Sequence, residues 1–534
     1  MGGDSSLVVR MRYRHLCRFL LISALTVSLQ AAVSLPTDNS ASMPAEVEGP
    51  AKAAMEAFQS GRHAKAVELA TPLAEQGNAE ALYLLGFAHE SGQGAEASRE
   101  KALEFYRKAA AGKQKDAVYR LSFILLASEK EEERDQARQA LETAAKDDPA
   151  VAARILGEAY LRGLLTPSPD PDKAVFWWKS AADAGDVLSV LLLARFYEGQ
   201  FGFPELKDAK ESLAQYAKAA GLGNAGAMAA LGSRLLSGDE KNRDEKKGRE
   251  WLKKAIAAKE YSAYLALGDY EENVKKDLKA ALAEYERGKD AGQMDCMLRT
   301  ADFYLEGKGV EKDTDRGMAL LTKAAEAGNP VANFRVAAQF LSGEKPEKAQ
   351  VLTGYGHLLA AANGNLVEAQ NELGLLYLSG KLGIADSPAG VAWLTRAAQG
   401  GNAQAQNNLA TLYERGIGGV QKNMENAGQL YALAANQGHG PATLALARLL
   451  YEGIGTKPDP VKAWALATLA SERGEKEADA LVKEIAVKLD EKQRAEAVKE
   501  LEDIKSGKAA PKKEDADKKP AAAPAPAPAP APKK

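Results

Sequence analysis

Cysteine is nearly absent: the 534-residue chain has two. Cys17 lies in a targeting segment described below, so the mature chain keeps one thiol, Cys296, and an intramolecular disulfide is excluded. The fold must stand on packing alone. Aromatic residues are scarce at 6%, which argues against a β-sandwich, whose core draws on β-branched and aromatic side chains. The abundant alanine suits closely packed helices. Neither sign of charge dominates: 70 Lys and Arg against 73 Asp and Glu leave a net charge of -3. The chain therefore carries no electrostatic footprint for nucleic acid. The five histidines, His15, His63, His89, His357 and His439, fall in separate segments without metal-ligand spacing. No catalytic, metal or cofactor residue is assigned.

What is present begins with Arg10, Arg12, Arg14, His15 and Arg18, a basic segment ahead of the apolar run Phe19–Leu29. Small residues follow at Ala31, Ala32 and Ser34. This is the layout of a secretory signal peptide over residues 1–34, with cleavage expected between Ala31 and Leu35. The run is shorter than the about 20 apolar residues of a transmembrane helix, so no stable membrane span is expected after cleavage. Residues 35–50 read as a flexible linker.

From residue 51 to 505 the chain repeats itself. Gly-Asn or a near variant recurs at Gly77-Asn78, Gly185-Asp186, Gly223-Asn224, Gly292-Gln293, Gly328-Asn329, Gly364-Asn365, Gly401-Asn402 and Gly438-His439, with weaker copies near Lys115-Asp116, Asp147-Asp148, Lys259-Glu260 and Gly474-Glu475. Alignment on this anchor gives about eleven copies. A first small column runs from Ala81 through Ser189 and Cys296 to Ala442. Four residues later comes an apolar column, Leu85 to Leu446, broken only by Thr300. A second small column follows at once: Gly86, Ser122, Gly157, Ala194, Gly232, Gly268, Ala301, Ala337, Gly374, Ala410 and Ala447. Three residues further on a large side chain, often Tyr, recurs, as at Tyr160, Tyr304 and Tyr413.

These spacings place the columns on one helix face. Glycine inside a helix costs about 1 kcal/mol against alanine, so a recurring Gly or Ala signals a steric demand from a neighbouring helix. This first helix, helix A, is expected to end in a left-handed glycine at Gly92, Gly163, Gly238, Gly307, Gly343, Gly380, Gly416 and Gly453. A turn leads into helix B, as in AVFWWKSAADAG from Ala174 and GVAWLTRAAQGG from Gly390, and all five tryptophans fall in helix B. Helix pairs that cannot bury their stripes alone stack into a continuous core with capped ends. Residues 51–76 read as the opening pair and 475–505 as a charged closing pair.

The pattern A-x-x-x-L-G-x-x-Y-x-x-G-x-G, then A-x-x-W-x-x-x-A-A-x-x-G, resembles the Sel1-like repeat, a relative of the tetratricopeptide repeat; its clearest copies span Ala369–Gly401, Ala405–Gly438 and Cys296–Gly328. Two copies are degenerate, with Ser128 and Val274 in place of the terminating glycine. The resemblance implies an all-α, right-handed superhelical solenoid that acts as a protein-binding scaffold, in several bacterial cases at the envelope. β-Lactam binding or hydrolysis ascribed to cysteine-rich relatives does not carry over, because the paired cysteines are missing.

Other motifs reduce to structure. Ser98-Arg-Glu-Lys101 matches S-x-x-K, but its companion motifs are absent and Ser98 stands where an N-cap belongs. Cys296 occupies a small column and reads as packing. Residues 506–534, rich in Lys, Pro and Ala, lack apolar residues larger than alanine and read as a disordered, extended spacer able to touch envelope surfaces. The concave face of a solenoid is lined mainly by helix A. Periodicity nominates Tyr83, Phe87, Arg154, Arg195, Asn371, Asn407 and Arg448 as partner-binding residues there. The resulting expectation is an exported, periplasmic or envelope scaffold for a protein or peptide partner, without catalysis. The alternatives are a cell-wall or β-lactam-directed hydrolase and a structural envelope tether.

Overall fold

The computed structural model describes residues 49–238, 243–342, 347–380 and 385–506, and every regular element among them is helical. The expected signal peptide, nearly all of the linker and the tail after Ser506 lie outside the described residues. The helix starts explain the sequence anchor. Asn78, Asp186, Asn224, Asn329 and Asn402 each accept a hydrogen bond from the backbone N–H three residues on, at 2.8–2.9 Å. His439 does the same through Nδ1 at 3.2 Å. Each satisfies one of the N–H groups a helix leaves unpaired at its start. The preceding glycine turns the chain with φ between 82° and 89°, a region that costs other L-residues energy. Helix B starts the same way, on Ser98, Asp170, Asp208, Asp244, Asp277, Asp313, Asp386, Asn423 and Asp459.

The chain divides into two compact units, one ending at Tyr270 and the other beginning at Glu271. The first contains α1 (Lys52–Gln59), α2 (His63–Glu75), α3 (Ala79–Ser91), α4 (Arg99–Ala111), α5 (Lys115–Leu126), α6 (Glu131–Asp147), α7 (Pro149–Leu161), α8 (Pro171–Asp183), α9 (Val187–Tyr197), α10 (Ala209–Gly221), α11 (Ala225–Ser237), α12 (Glu245–Ala257) and α13 (Ser262–Tyr270). The second opens on a π-helical turn, Glu271–Lys275, and contains α14 (Leu278–Asp290), α15 (Met294–Glu306), α16 (Thr314–Glu326), α17 (Pro330–Leu341), α18 (Lys348–Asn363), α19 (Val367–Ser379), α20 (Ser387–Gln399), α21 (Ala403–Arg415), α22 (Met424–Asn436), α23 (Gly440–Glu452), α24 (Pro460–Glu472), α25 (Ala478–Lys488) and α26 (Glu491–Lys505). Within each unit successive helices pack on one another, and the odd-numbered helices from α3 to α23 are the A helices. The architecture is an all-α solenoid of helix pairs.

The small columns set how closely the pairs approach. Every residue of the first small column is at most 1% exposed. At the second, a Cβ added to Gly232 on α11 would lie 2.7 Å from Leu252 Cγ and 2.9 Å from the Gly248 carbonyl on α12. Gly248 returns the contact against Leu236 and the Gly232 carbonyl. The second unit repeats this arrangement with Gly374 on α19 and Gly390 on α20. Gly86 and Gly157 instead make room for the rings of Tyr106 and Trp178, both fully buried. Thr300, the polar break in the apolar column, donates to the Cys296 carbonyl at 2.8 Å and so satisfies its hydroxyl within its own helix.

The second unit adds a polar tie. Asn333, Gln370 and Gln406 donate to the carbonyls of Ala325, Ala362 and Ala398 at 3.0–3.1 Å, fastening each A helix to the end of the preceding B helix. These are buried side chains at one alignment position, and each adds a second hydrogen bond to a carbonyl that already accepts from the backbone N–H of Gly328, Asn365 or Gly401.

Several sequence expectations need adjustment. Gly92, Gly163, Gly307, Gly380, Gly416 and Gly453 are left-handed as expected, but Gly238 is extended at φ -64°. Gly343 lies outside the described residues. The Gly364-Asn365 anchor is shifted by one: Asn365 takes the positive φ of 63° and Leu366 the N-cap position. The weak anchor placed at Lys115-Asp116 is Lys113 at φ 62° followed by the N-cap Gln114. In the copy lacking a terminating glycine at Val274, the helix widens into the π turn and Lys276 takes the left-handed conformation at φ 60°.

Two consequences are measurable. Gly374→Ala should lower the melting midpoint although alanine favours helix, because overpacking costs about 1–3 kcal/mol. Gly356→Ala, in helix α18 with nothing within 4 Å of its added Cβ, should raise it by the equivalent of about 0.4–1 kcal/mol. Asn402→Ala, removing a cap at 2.8 Å, should cost about 1 kcal/mol by the same thermal or denaturant melt.

Candidate partner-binding face

The nominated residues stand two positions before or after the apolar column of helix A, so the helix alone places them on one stripe. Their neighbours decide which of them reach solvent. In the first unit Tyr83 and Phe87 are buried, at 7% and 4% exposure. Phe58 of the opening helix meets Phe87 edge-on at 5.5 Å, Arg120 lies over the Phe87 ring, and Tyr83 packs against Tyr106. Both are core residues and present nothing to a partner. The opening helices and Arg120 cover them, which the period of one helix does not reveal.

Arg154 and Glu158 lie one turn apart on α7. Arg154 is largely buried, with Nε 3.1 Å from Asp186 Oδ2 but not aligned for a hydrogen bond. Glu158 is buried, and Oε1 finds no hydrogen-bond partner. Burial pushes its carboxyl up to about 7; the guanidinium groups of Arg162 and Arg154 oppose that rise and Asp186 adds to it. Arg195 on α9 is half-buried and donates to Gln200 at 2.8 Å.

In the second unit Asn371 is buried at 4% exposure, and its Oδ1 accepts from Asn408 Nδ2 at 3.0 Å. It is therefore committed to a neighbouring A helix and is not free to clamp a peptide. Asn408 in turn accepts from Gln404 at 3.1 Å, and Gln404 Oε1 lies 3.0 Å from His439 Nε2. This Asn-Asn-Gln-His ladder spans α19, α21 and α23. Asn407 is half-buried with its amide unbonded to any described residue. Arg448 is exposed and pairs with Glu477 at 2.6 Å. Of the nominated set, Asn407 on α21 is partly accessible and Arg448 on α23 is exposed. Tyr83, Phe87 and Asn371 are not accessible.

A second feature, missed in the sequence, recurs beside this stripe. Glu90, Glu198, Glu272 and Glu414 each stand four residues after the second small column and accept from a helix-B tyrosine: Tyr106 at 2.6 Å, Tyr216 at 3.1 Å, Tyr285 at 2.8 Å and Tyr431 at 2.6 Å. An arginine of the next A helix joins three of them, Arg120 at 2.8 Å, Arg234 at 2.6 Å and Arg299 at 3.8 Å. In the alignment these glutamates share a column with leucines such as Leu236 and Leu378, and their tyrosine partners belong to another helix. Among the described residues no group of three or more His, Cys, Asp or Glu side chains is placed to hold a metal ion. No described helix is long and apolar enough to cross a membrane.

Glu158 makes stability depend on pH with a defined sign. Its folded pKa is raised, so between its ordinary value of 4.5 and about 7 the native state holds a proton that the unfolded state has lost. Stability therefore falls as pH rises through that window. Glu158→Gln should leave the melting midpoint nearly unchanged at pH 5 and raise it at pH 8, at about 2–4 °C for each kcal/mol recovered.

A family model for the Sel1 repeat matches residues 79–113, 150–186, 225–259, 295–329, 367–402, 403–439 and 440–475. Among solved structures, a protective antigen of uropathogenic Escherichia coli displaying an SLR fold is similar at 23% identity, covering 82% of this chain and 94% of that one, with a TM-score of 0.44. A Sel1 repeat protein from Oxalobacter formigenes is 26% identical over 45% of this chain and 98% of its own, with a TM-score of 0.38. An immunity protein from Pseudomonas aeruginosa is 23% identical over 43% of this chain and 82% of its own, with a TM-score of 0.27. With the caps, left-handed glycines and small columns recurring in register through both units, the chain is a member of the Sel1-repeat family.

Proposed function

We propose that this chain is an exported scaffold that binds a protein or peptide partner in the bacterial periplasm or envelope and carries out no catalysis. Sel1-repeat scaffolds serve protein–protein interaction, and that coarser role is common to the family. The observation that carries the reading is the pair of accessible polar side chains on α21 and α23. There the Asn407 amide offers both a donor and an acceptor to a peptide backbone, Arg448 offers charge, and the ladder from Asn371 to His439 holds the adjoining helices in register. Affinity would come from area and main-chain hydrogen bonds along these helices, with the surface already formed before binding. Export rests on the basic and apolar layout of residues 1–34.

A photo-crosslinking amino acid placed at Asn407 or Arg448 in intact cells should yield a discrete crosslinked partner. The same label at the exposed Lys323, on helix B, should not. Equal yields at all three positions, or none at Asn407 and Arg448, would count against the assignment. Turnover of nitrocefin or peptidoglycan by the purified chain, lost on a single Ser or Lys substitution, would overturn the non-catalytic reading in favour of a hydrolase.

A further inference from the structure

The closing helices leave an apolar cleft that no other described element covers. Trp464 of α24, Ala486 and Val487 at the end of α25, and Arg494 and Val498 of α26 line a volume of about 380 Å³, within the about 300–1,000 Å³ typical of ligand pockets. Val487 is 82% exposed, the most of any large apolar side chain among the described residues, and Val498 is 47% exposed. Such exposure is unexpected for a cap whose task is to end the core in a polar face. The walls are held firmly. Arg494 donates to the Ala486 carbonyl at 2.9 Å and the Leu489 carbonyl at 3.1 Å, fastening the corner between α25 and α26. Trp464 supplies the one aromatic ring of the lining, and its indole N–H makes no hydrogen bond to a described residue.

The chain itself supplies a segment of matching chemistry. Residues 507–534 follow the last described residue, and the run Pro520–Pro532 within them, ahead of Lys533 and Lys534, is built only of proline and alanine. Such a run favours the polyproline II conformation, which loses little entropy on binding and leaves its carbonyls free to accept hydrogen bonds. Aromatic-lined grooves recognise extended proline-rich segments in this way. The distance allows it. From Val498 to Lys505 the helix advances about 10 Å at 1.5 Å per residue, while the thirteen residues before Pro520 can span up to about 45 Å at 3.3–3.6 Å each. Tethering at that length gives an effective concentration of the order of millimolar. A second copy is a poorer occupant, because five lining residues fall well short of the roughly 20–30 a side of a stable dimer.

We propose that the Pro-Ala run of residues 520–532 docks into the Trp464–Val487–Val498 cleft and covers the C-terminal end of the repeat array with the chain's own tail. The inference is independent of the partner surface on α21 and α23. A dye-labelled peptide of residues 519–534, followed by fluorescence anisotropy, tests it. A chain ending at Ser506 should bind the peptide saturably. The full chain should bind about tenfold more weakly, as expected when a millimolar tethered competitor opposes an intrinsic dissociation constant of the order of 0.1 mM. Val487→Glu in the shortened chain, at a position already exposed, should abolish binding without moving the melting midpoint. The proposal is overturned if the shortened chain shows no saturable binding, if both chains bind alike, if the Val487→Glu variant still binds, or if light scattering shows the shortened chain pairing with a second copy in place of the peptide.

Discussion

The distance between the two helices of a pair at the second small column governs the rest of the molecule. Where Gly232 faces Gly248, and Gly374 faces Gly390, neither side has room for a methyl group, and each backbone carbonyl oxygen lies 2.9–3.0 Å from where the other's Cβ would be. Glycine is poor helix material, costing about 1 kcal/mol relative to alanine, so the gain must come from packing. Close approach lets leucines such as Leu252 and Leu394 interlock with the partner backbone, both fully buried. Where the column holds glycine against a large ring, as with Gly86 and Tyr106 or Gly157 and Trp178, the same space is filled by one aromatic side chain. A repeat thus has two ways of satisfying one volume, consistent with interiors packed as densely as organic crystals.

That closeness requires short, repeatable connections, and the helix ends supply them. A left-handed glycine followed by an N-capping Asn or Asp turns helix B into the next helix A within three residues. Helix B then begins on a capping Asp, Asn or Ser whose own N–H bonds back to helix A, as Asp313 does to Tyr304 at 2.9 Å. The motif tolerates loss of its glycine at a local cost: Lys113 and Lys259 take up positive φ where no glycine is available, and Asn365 does so one residue after Gly364. The carbonyl ties of Asn333, Gln370 and Gln406 are a further layer found in the second unit, and the Tyr–Glu–Arg contacts join helices of successive pairs. Exposed ion pairs contribute little individually, about 0–1 kcal/mol, so these half-buried contacts act chiefly by fixing register.

Much of the fold was legible because each repeat is a local object. The columns at Ala81, Leu85 and Gly86 and their later copies fall on helices in register, and Ser98 caps a helix as its position suggested. The candidate surface was less legible. Tyr83 and Phe87 occupy the right stripe but are covered by Phe58 and Arg120, and Asn371 is bonded to Asn408, 37 residues away in sequence. The apolar cleft over Trp464 was missed for the same reason, since its walls come from three helices. Glu158 also escaped notice, because nothing in its local sequence separates a buried carboxyl from a solvated one.

The amino-acid sequence by itself determined the repeat, the helix pairs, the caps and the steric demand at the small columns, because these depend on residues within one turn or one connection of each other. Only the tertiary structure decided which side chains of helix A meet water and which meet a neighbour. Exposure is set by the helices that stack on either side, and a single helix period carries no record of them. The small column therefore had its meaning fixed by sequence, while the partner surface, the buried glutamate and the uncovered tryptophan cleft took theirs from packing between repeats.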